Sequence, residues 1–393
     1  MPSGKRENFK CDLAIVGGGL AGGLIALAVA RLRPELKIVL VEQEPHFGGN
    51  HIWSYFASDI APEHRWLTAP LVTYGWSGYD VHFPAHSRTL DNIYYSIESE
   101  RLDWVLRHNL PASALMAGRE VKSVSPRLVV LDGAQRINAG GVIDARGGAD
   151  LNHLDCGWQK FTGQLLQLSE PHNLTRPIVM DATVEQHDGY RFVYVLPFGM
   201  DKVFVEDTYY SDKPELDPRR LRQRIAEYAD GKGWKVERVL REETGVLPVV
   251  MGGDLESYWT SGSGRTAKAG ARGAFFQPVT SYSLPDAVRN AIFIAGQPDF
   301  DGDRLNMVLR QRAQDHWRDG KFYRMLNRML FRAAEGPERY KILERFYTLK
   351  PGLIERFYAG RTTGGDKARI LSGKPPVPVG KALRALRPRT KSR

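Results

Sequence analysis

The chain has 393 residues, enough for two or three structural units, and its 42% hydrophobic and 25% charged residues are ordinary globular values that exclude a disordered protein and predict a soluble or peripheral one. A formal charge of +10 points to an anionic partner, nucleic acid or phospholipid; the excess sits towards the C-terminus, and the final run KALRALRPRTKSR holds no acid. Two cysteines, Cys11 and Cys156, in no C-x-x-C pair, argue against a disulfide framework or thiolate metal site and suit a reducing cytoplasm.

The N-terminal MPSGKRENFK is polar and lacks the apolar core of a secretory signal. Residues 12–16 (DLAIV) predict a strand, Gly17 to Gly22 a turn, the alanine-rich stretch to about Arg31 a helix, and 37–42 (KIVLVE) a second strand, together one βαβ unit. The stretch 50–110 is rich in aromatics and too irregular to assign, except for a helix over Glu100–Leu110. Arg127–Leu131 and Gly141–Ala145 read as strands, the latter ending at Arg146, Gly147 and Gly148. PIVMDATV, YRFVYVLPF and KVFVEDTYY form antiparallel strands over 177–210, followed by a helix near Arg219–Ala229 and a strand at VERVLREE. Beyond Asn306 the pattern is helical to about Leu371, and the prolines of KPPVPVG predict an extended tail.

Gly17-x-Gly19-x-x-Gly22 follows a strand, opens a helix, and is followed by Glu42 at the end of the next strand, which is the context a dinucleotide fingerprint requires. Gly17 would make the tight turn, Gly19 would let the backbone approach a pyrophosphate, and Gly22 would permit close helix packing. The helix terminus would then hold the anion, and Glu42 the adenosine ribose. NAD and FAD both use such a loop. Residues 141–148 (GVIDARGG) and 273–287 (GAFFQPVTSYSLPDA) resemble the second and third flavin-contact segments of glutathione-reductase-type and hydroxylase-type flavoproteins. Gly147 and Thr280 are the candidate contacts there. Arg101, in an R-x-x-W-x-L helix, is placed like the arginine that reaches the flavin phosphates in those enzymes. Ser281 stands where the third segment leads one to expect glycine, so either the turn differs or the hydroxyl adds a hydrogen bond.

GGNHIWSY (48–55, with Gly49 a further cofactor contact), FVEDTYY (204–210), EETGVLPVVMGG (242–253), FQPVTSYSLP (276–285), LNRMLFRAA (326–334), and RFYAGR with ILSGKPPVPV (356–379) resemble the signature blocks of bacterial lycopene β-cyclases. The resemblance implies a non-redox isomerisation in carotenoid biosynthesis that closes the linear ends of lycopene into β-rings, through γ-carotene to β-carotene. It implies FAD in its reduced form, with NADPH or NADH as reductant, and linear carotenoids as substrates.

Ring closure needs a proton delivered to an alkene, a poor base, and so a desolvated carboxyl. Glu206 is the candidate catalytic residue: alternation puts it on one face with Phe204 and Thr208, beside an aromatic ring suited to a cation. Asp207 points the other way. Glu242 and Glu243 are second choices, because a REET run reads more readily as a solvated end. His82 and His86 flank Pro84, which prevents helical pairing, and no metal site is predicted.

The expected fold class is α/β, a Rossmann-type FAD-binding domain interleaved with an antiparallel β-sheet substrate domain, plus C-terminal helices. The expected divisions are 10–158 with 271–316 for FAD, 159–270 for substrate, a helical region 317–372 and a basic tail 373–393. In Lys321–Ala334, Phe322, Met325, Leu326, Met329 and Leu330 share one face and Lys321, Arg324, Arg328 and Arg332 another. Such a helix either packs on the core or lies at a lipid interface with a cationic rim. With the basic tail, the second reading predicts a cytoplasmic protein peripherally attached to an anionic membrane surface. An FAD monooxygenase or reductase acting on an isoprenoid, and a basic flavin-containing RNA-binding protein, are the competing readings. No recognisable nucleic-acid module accompanies the charge.

Overall fold

A computed structural model describes residues 8–148, 150–187, 189–373 and 379–385. The first sheet runs in the strand order Leu115–Met116, Ile38–Val41, Asn8–Val16, Arg136–Asp144, Leu128–Leu131, Val121–Ser125, with Ala267–Lys268 paired to Arg136–Asp144. Asn8–Val16 is parallel to both of its neighbours, and all four residues of IVLV at 38–41 are buried, as expected of strands covered on both faces. Helix Leu20–Leu32 lies on this sheet and packs against helix Leu284–Ala295.

The second sheet has the order Val236–Gly253, Leu154–Leu168, Lys202–Ser211, Tyr190–Pro197, Ile178–Asp181, Tyr79–Phe83, His86–Leu90. It is antiparallel except where Ile178–Asp181 meets Tyr79–Phe83. A small third sheet joins Ile52–Phe56, Tyr94–Glu98 and Tyr74–Trp76. The fold is the interleaved Rossmann-type and antiparallel α/β arrangement expected, with C-terminal helices. The aromatic stretch 50–110 turns out to be strand-rich, and Tyr79–Phe83 and His86–Leu90, within the segment expected to belong to the nucleotide part, lie in the second sheet.

Leu154–Leu168, the second strand of that order, spans the expected division at 158/159. Its glycines hid it. A Cβ at Gly157 would lie 2.3 Å from the Phe331 ring, and one at Gly163 2.3 Å from the Phe204 ring. Those glycines are packing positions inside a strand, where a ring takes the place of a side chain.

Strand Lys202–Ser211 alternates cleanly. Val203, Val205 and Asp207 face the layer in which helix Pro218–Gly231 packs Ile225 and Ala229, whereas Phe204, Glu206, Thr208 and Tyr210 face the other way.

Helix Lys321–Ala333 packs on the core with Lys321 exposed but its three arginines engaged by the protein, which corrects the expected cationic rim. Arg324 is buried with its guanidinium 3.9 Å from the Trp317 ring centre, Arg328 donates to the Met251 carbonyl, and Arg332 pairs with Asp155. Phe322, Met325, Leu326 and Met329 are half-buried. The prolines of KPPVPVG lie outside the described residues, as does the chain after 385. Residues Val379–Ala385, expected to be extended, form a helix instead. They follow the last of those prolines and are mostly good helix formers, and Ala385 is buried beside Ala333. Among the described residues no helix is long and apolar enough to cross a membrane.

Candidate active site

A cleft with a volume of about 810 Å³ runs from the glycine loop to the second sheet. At its first end Gly17 takes φ +102°, and a Cβ there would lie 2.7 Å from the Arg146 amide nitrogen, so the turn and the close approach both demand glycine. A Cβ at Gly22 would stand 1.9 Å from the Gly17 carbonyl oxygen, while one at Gly19 would meet nothing within 4 Å. Gly22 is thus a packing glycine beneath the loop, and Gly19 borders open space. The helix that begins at Leu20 has no side-chain cap, and Leu20 and Ala21 line the cleft. Free amides and the helix dipole there favour an anion.

Glu42 lines the same end. The Gly18 amide donates to its Oε2 at 2.7 Å and the Glu44 amide to its Oε1 at 3.0 Å, which orients the carboxylate and leaves lone pairs for further donors. Gly49, Gly147 and Thr280 line the cleft as well. Arg101 does not. Its Nε donates to the Pro70 carbonyl at 2.8 Å and its guanidinium lies over Trp104, because the helix Ser99–Asn109 turns Leu102, Val105 and Leu106 inward and leaves this position to its own neighbours. Two arginines that the sequence reading missed do line the cleft: Arg146 and Arg272, both paired with the buried Asp144.

The segment 276–283 leads into helix Leu284–Ala295, whose start also lacks a side-chain cap, so Ser283 and Leu284 bring a second helix terminus to the cleft. Ser281 adopts φ +58°, the glycine-like conformation, and its hydroxyl donates to the Pro248 carbonyl at 2.7 Å. The turn keeps its shape, and the side chain adds a bond.

Strand register lays out the floor of the other end in rows. Tyr194, Glu206, Gly163 and Glu243 stand abreast on four neighbouring strands; the next row holds Phe192, Thr208, Phe161 and Gly245, and the next Tyr190, Tyr210, Gln159 and Leu247. Directly paired residues share a face, so Glu206 and Glu243 look into one aromatic chamber, which Tyr282 and Tyr358 also line. Glu206 is half-buried, and the Thr208 hydroxyl donates to its Oε1 at 2.5 Å. Burial pushes its carboxyl up to about 8; the Thr208 bond opposes this, and the Glu243 and Asp207 charges add to it. Of the acids in the cleft, Glu206 is the one whose surroundings favour the protonated carboxyl.

The other three acids stand differently. Asp207 is fully buried on the opposite face in a bidentate pair with Arg191, at 2.7 Å to Nη2. Glu242 is held by Arg222 at 2.6 Å and by Gln164 at 2.8 Å. Glu243, read from the sequence as a solvated end, is buried inside the long strand Val236–Gly253: His51 Nδ1 lies 3.0 Å from its Oε1, and the Ile52 amide donates to its Oε2 at 3.0 Å. Nothing local announces the partnership of His51 and Glu243, because it depends on how two distant strands come together. Among the described residues no group of three or more His, Cys, Asp or Glu is placed to hold a metal ion.

The chain matches the family described as lycopene cyclase protein over residues 12–384. It belongs to the lycopene cyclase family. It is 46% identical to a lycopene beta-cyclase of Pseudescherichia vulneris over 95% of this chain and 96% of that one. It is 43% identical to a lycopene beta-cyclase of Pantoea ananas over 95% and 97%. Among solved structures it shares the fold of a geranylgeranyl bacteriochlorophyll reductase-like protein of Thermoplasma acidophilum, with a TM-score of 0.62 at 12% identity over 97% of this chain and all of that one. A flavin-dependent brominase gives a TM-score of 0.59 at 13% identity over 89% and 94%. The fold alone is common to several chemistries. Membership of the lycopene cyclase family narrows the choice.

Proposed function

We propose that this protein is a lycopene β-cyclase in which FAD occupies the glycine-lined end of the cleft and a lycopene end group the aromatic end. The observation that carries this reading is the continuity of one cleft from the Gly17–Leu20 cradle to Glu206. The residues present fit the cofactor: the Gly19 position and Gly147 open on unfilled space, two uncapped helix starts supply amide donors, and Glu42 is oriented by backbone amides. Gly17, Gly19 and the Leu20 helix start would hold the pyrophosphate, Glu42 the ribose, and Gly49, Gly147 and Thr280 the remainder. Bound in its reduced form, with NADPH or NADH as the reductant, the flavin would supply an electron-rich anionic ring next to a developing cation.

The chain's own residues carry the proton chemistry. Glu206, protonated and desolvated, delivers its proton to the terminal double bond of the substrate. The aromatic rings of the chamber exclude water, and their π-faces favour the tertiary cation that follows. No net redox change occurs, and the product of two closures is β-carotene.

Expression in a lycopene-accumulating bacterial host followed by pigment chromatography tests the reading. Accumulation of γ- and β-carotene is expected; unchanged lycopene would sink it. A monooxygenase or reductase would instead consume NADPH in step with substrate. The basic C-terminal run supports attachment to an anionic membrane surface. Flotation with anionic liposomes is expected to exceed that with neutral ones and to fall with salt; equal flotation with both would remove the lipid contact.

A further inference from the structure

Closing the ring takes two proton transfers at different carbons, one in and one out, and the cleft holds two carboxyl groups in unlike surroundings. Gly163 pairs on one side with Glu206 and on the other with Glu243. The two glutamates therefore rise from the same face, two strand spacings apart, roughly 9.6 Å between backbones. Gly163 places no side chain between them, and the Phe204 ring lies against it. Both carboxyl groups line the cleft.

Their partners differ in kind. Glu206 receives the Thr208 hydroxyl and is otherwise among tyrosines, with Tyr194 beside it in the row and Tyr282 across the chamber. Glu243 accepts from the Ile52 backbone amide and lies 3.0 Å from His51 Nδ1, a ring that can pass a proton in either direction. The Arg241 guanidinium, one row further along, is engaged by Glu100 and Ser99. Asp207 lies on the far face, held by Arg191. His51 leads outward, with 53% of its side chain exposed against 6% for Glu243.

We propose that Glu243 is the base of ring closure, taking the proton that leaves the ring, and that His51 carries it between Glu243 and solvent. This rests on the cyclase reading above. The Glu206 O–H bond breaks and its proton forms a C–H bond with the alkene's electron pair, leaving a tertiary cation. The π pair of the second alkene forms the ring C–C bond and passes the cation to its far carbon. The adjacent ring C–H then breaks, its electron pair becoming the ring double bond and its proton passing to Glu243. Glu206 is left ionised and Glu243 protonated; His51 and solvent return the proton, and no oxidant or reductant is consumed. Pairs of acids whose surroundings set them apart in this way are the usual assignment of acid and base.

Purified flavin-replete Glu243→Gln, assayed with lycopene, tests this. β-Ring formation should fall about 10²- to 10⁴-fold. The cation, lacking its base, should lose a proton elsewhere and yield rings with a displaced double bond, which a purely structural defect would not produce. Removing the negative charge beside Glu206 should also move the alkaline limb of kcat/KM to lower pH. Should Glu243→Gln not retain flavin, Glu243→Asp keeps the charge but withdraws it by one methylene and should give the same displaced products. Near wild-type rate with β-rings alone and an unmoved pH limb overturns the proposal. If Glu206→Gln is inactive in that same experiment, the cyclase reading stands without Glu243 as base; if Glu206→Gln is also fully active, the assignment of Glu206 falls with it.

Discussion

The two ends of the cleft are built from different material. At the glycine end the main chain makes the site: Gly17 turns, Gly22 tucks beneath the Gly17 carbonyl, and Gly19 faces open space, all within one βαβ unit. At the sheet end side chains make it, and the residues standing abreast of Glu206 come from strands beginning at 154, 190 and 236. A site made of backbone is written locally; a site made of strand register is written across the chain.

The glycine end gives the largest expected effect. A valine at Gly19 has room to fold but fills the space before the helix terminus, so Gly19→Val is expected to be folded and to lack co-purifying flavin absorbance. Gly22→Val, with its Cβ 1.9 Å from the Gly17 oxygen, should lose the fold of the loop as well. Full FAD retention in Gly19→Val would break the assignment of this end.

At the sheet end, Glu206→Gln keeps shape and most hydrogen bonding while removing the acidic proton. Flavin content and folding should survive, and turnover should drop about 10²- to 10⁴-fold. Its neighbour sharpens the point. Asp207→Asn strands the buried Arg191 charge, which typically costs about 3–5 kcal/mol, so the denaturant midpoint should fall while the rate per flavin-loaded molecule stays near wild type. A stable, inactive Asp207→Asn would reverse the roles of the two faces.

The same contrast explains what sequence reading found. Gly17, Gly19, Gly22 and Glu42 fall within twenty-six consecutive positions, and the strand, turn, helix and strand that carry them have strong local signals. Glu206 was accessible too, because alternation in a short strand sets its face without knowledge of any partner. Glu243 was not, since its burial depends on Gly163 of one strand and His51 of a distant segment. Strand Leu154–Leu168 escaped because its glycines read as breaks until the rings of Phe331 and Phe204 are seen covering them. Arg101 lies on a correctly placed helix; the error was one of facing, where one residue turns a side chain by about 100°.

Ser281 lies where the two ends meet, and there a side chain stands at a position whose backbone is glycine-like. Its φ of +58° costs a non-glycine residue roughly 1–2 kcal/mol. Its hydroxyl recovers about 1 kcal/mol by donating to the Pro248 carbonyl at 2.7 Å, which ties the turn before helix Leu284–Ala295 to the long strand of the second sheet. Ser281→Gly relieves the conformation, loses the bond and loosens the unfolded chain, and these changes nearly cancel, so its denaturant midpoint should match wild type to within about 1 kcal/mol. Ser281→Ala keeps the unfavourable conformation and loses the bond, so it should be less stable than either by about 1 kcal/mol. Flavin should be retained in both, since the backbone path is unchanged. If alanine proves as stable as serine, the hydroxyl does not hold the turn, and the conformation must be imposed by the bond from the Ser281 amide to the Gln277 carbonyl at 2.8 Å.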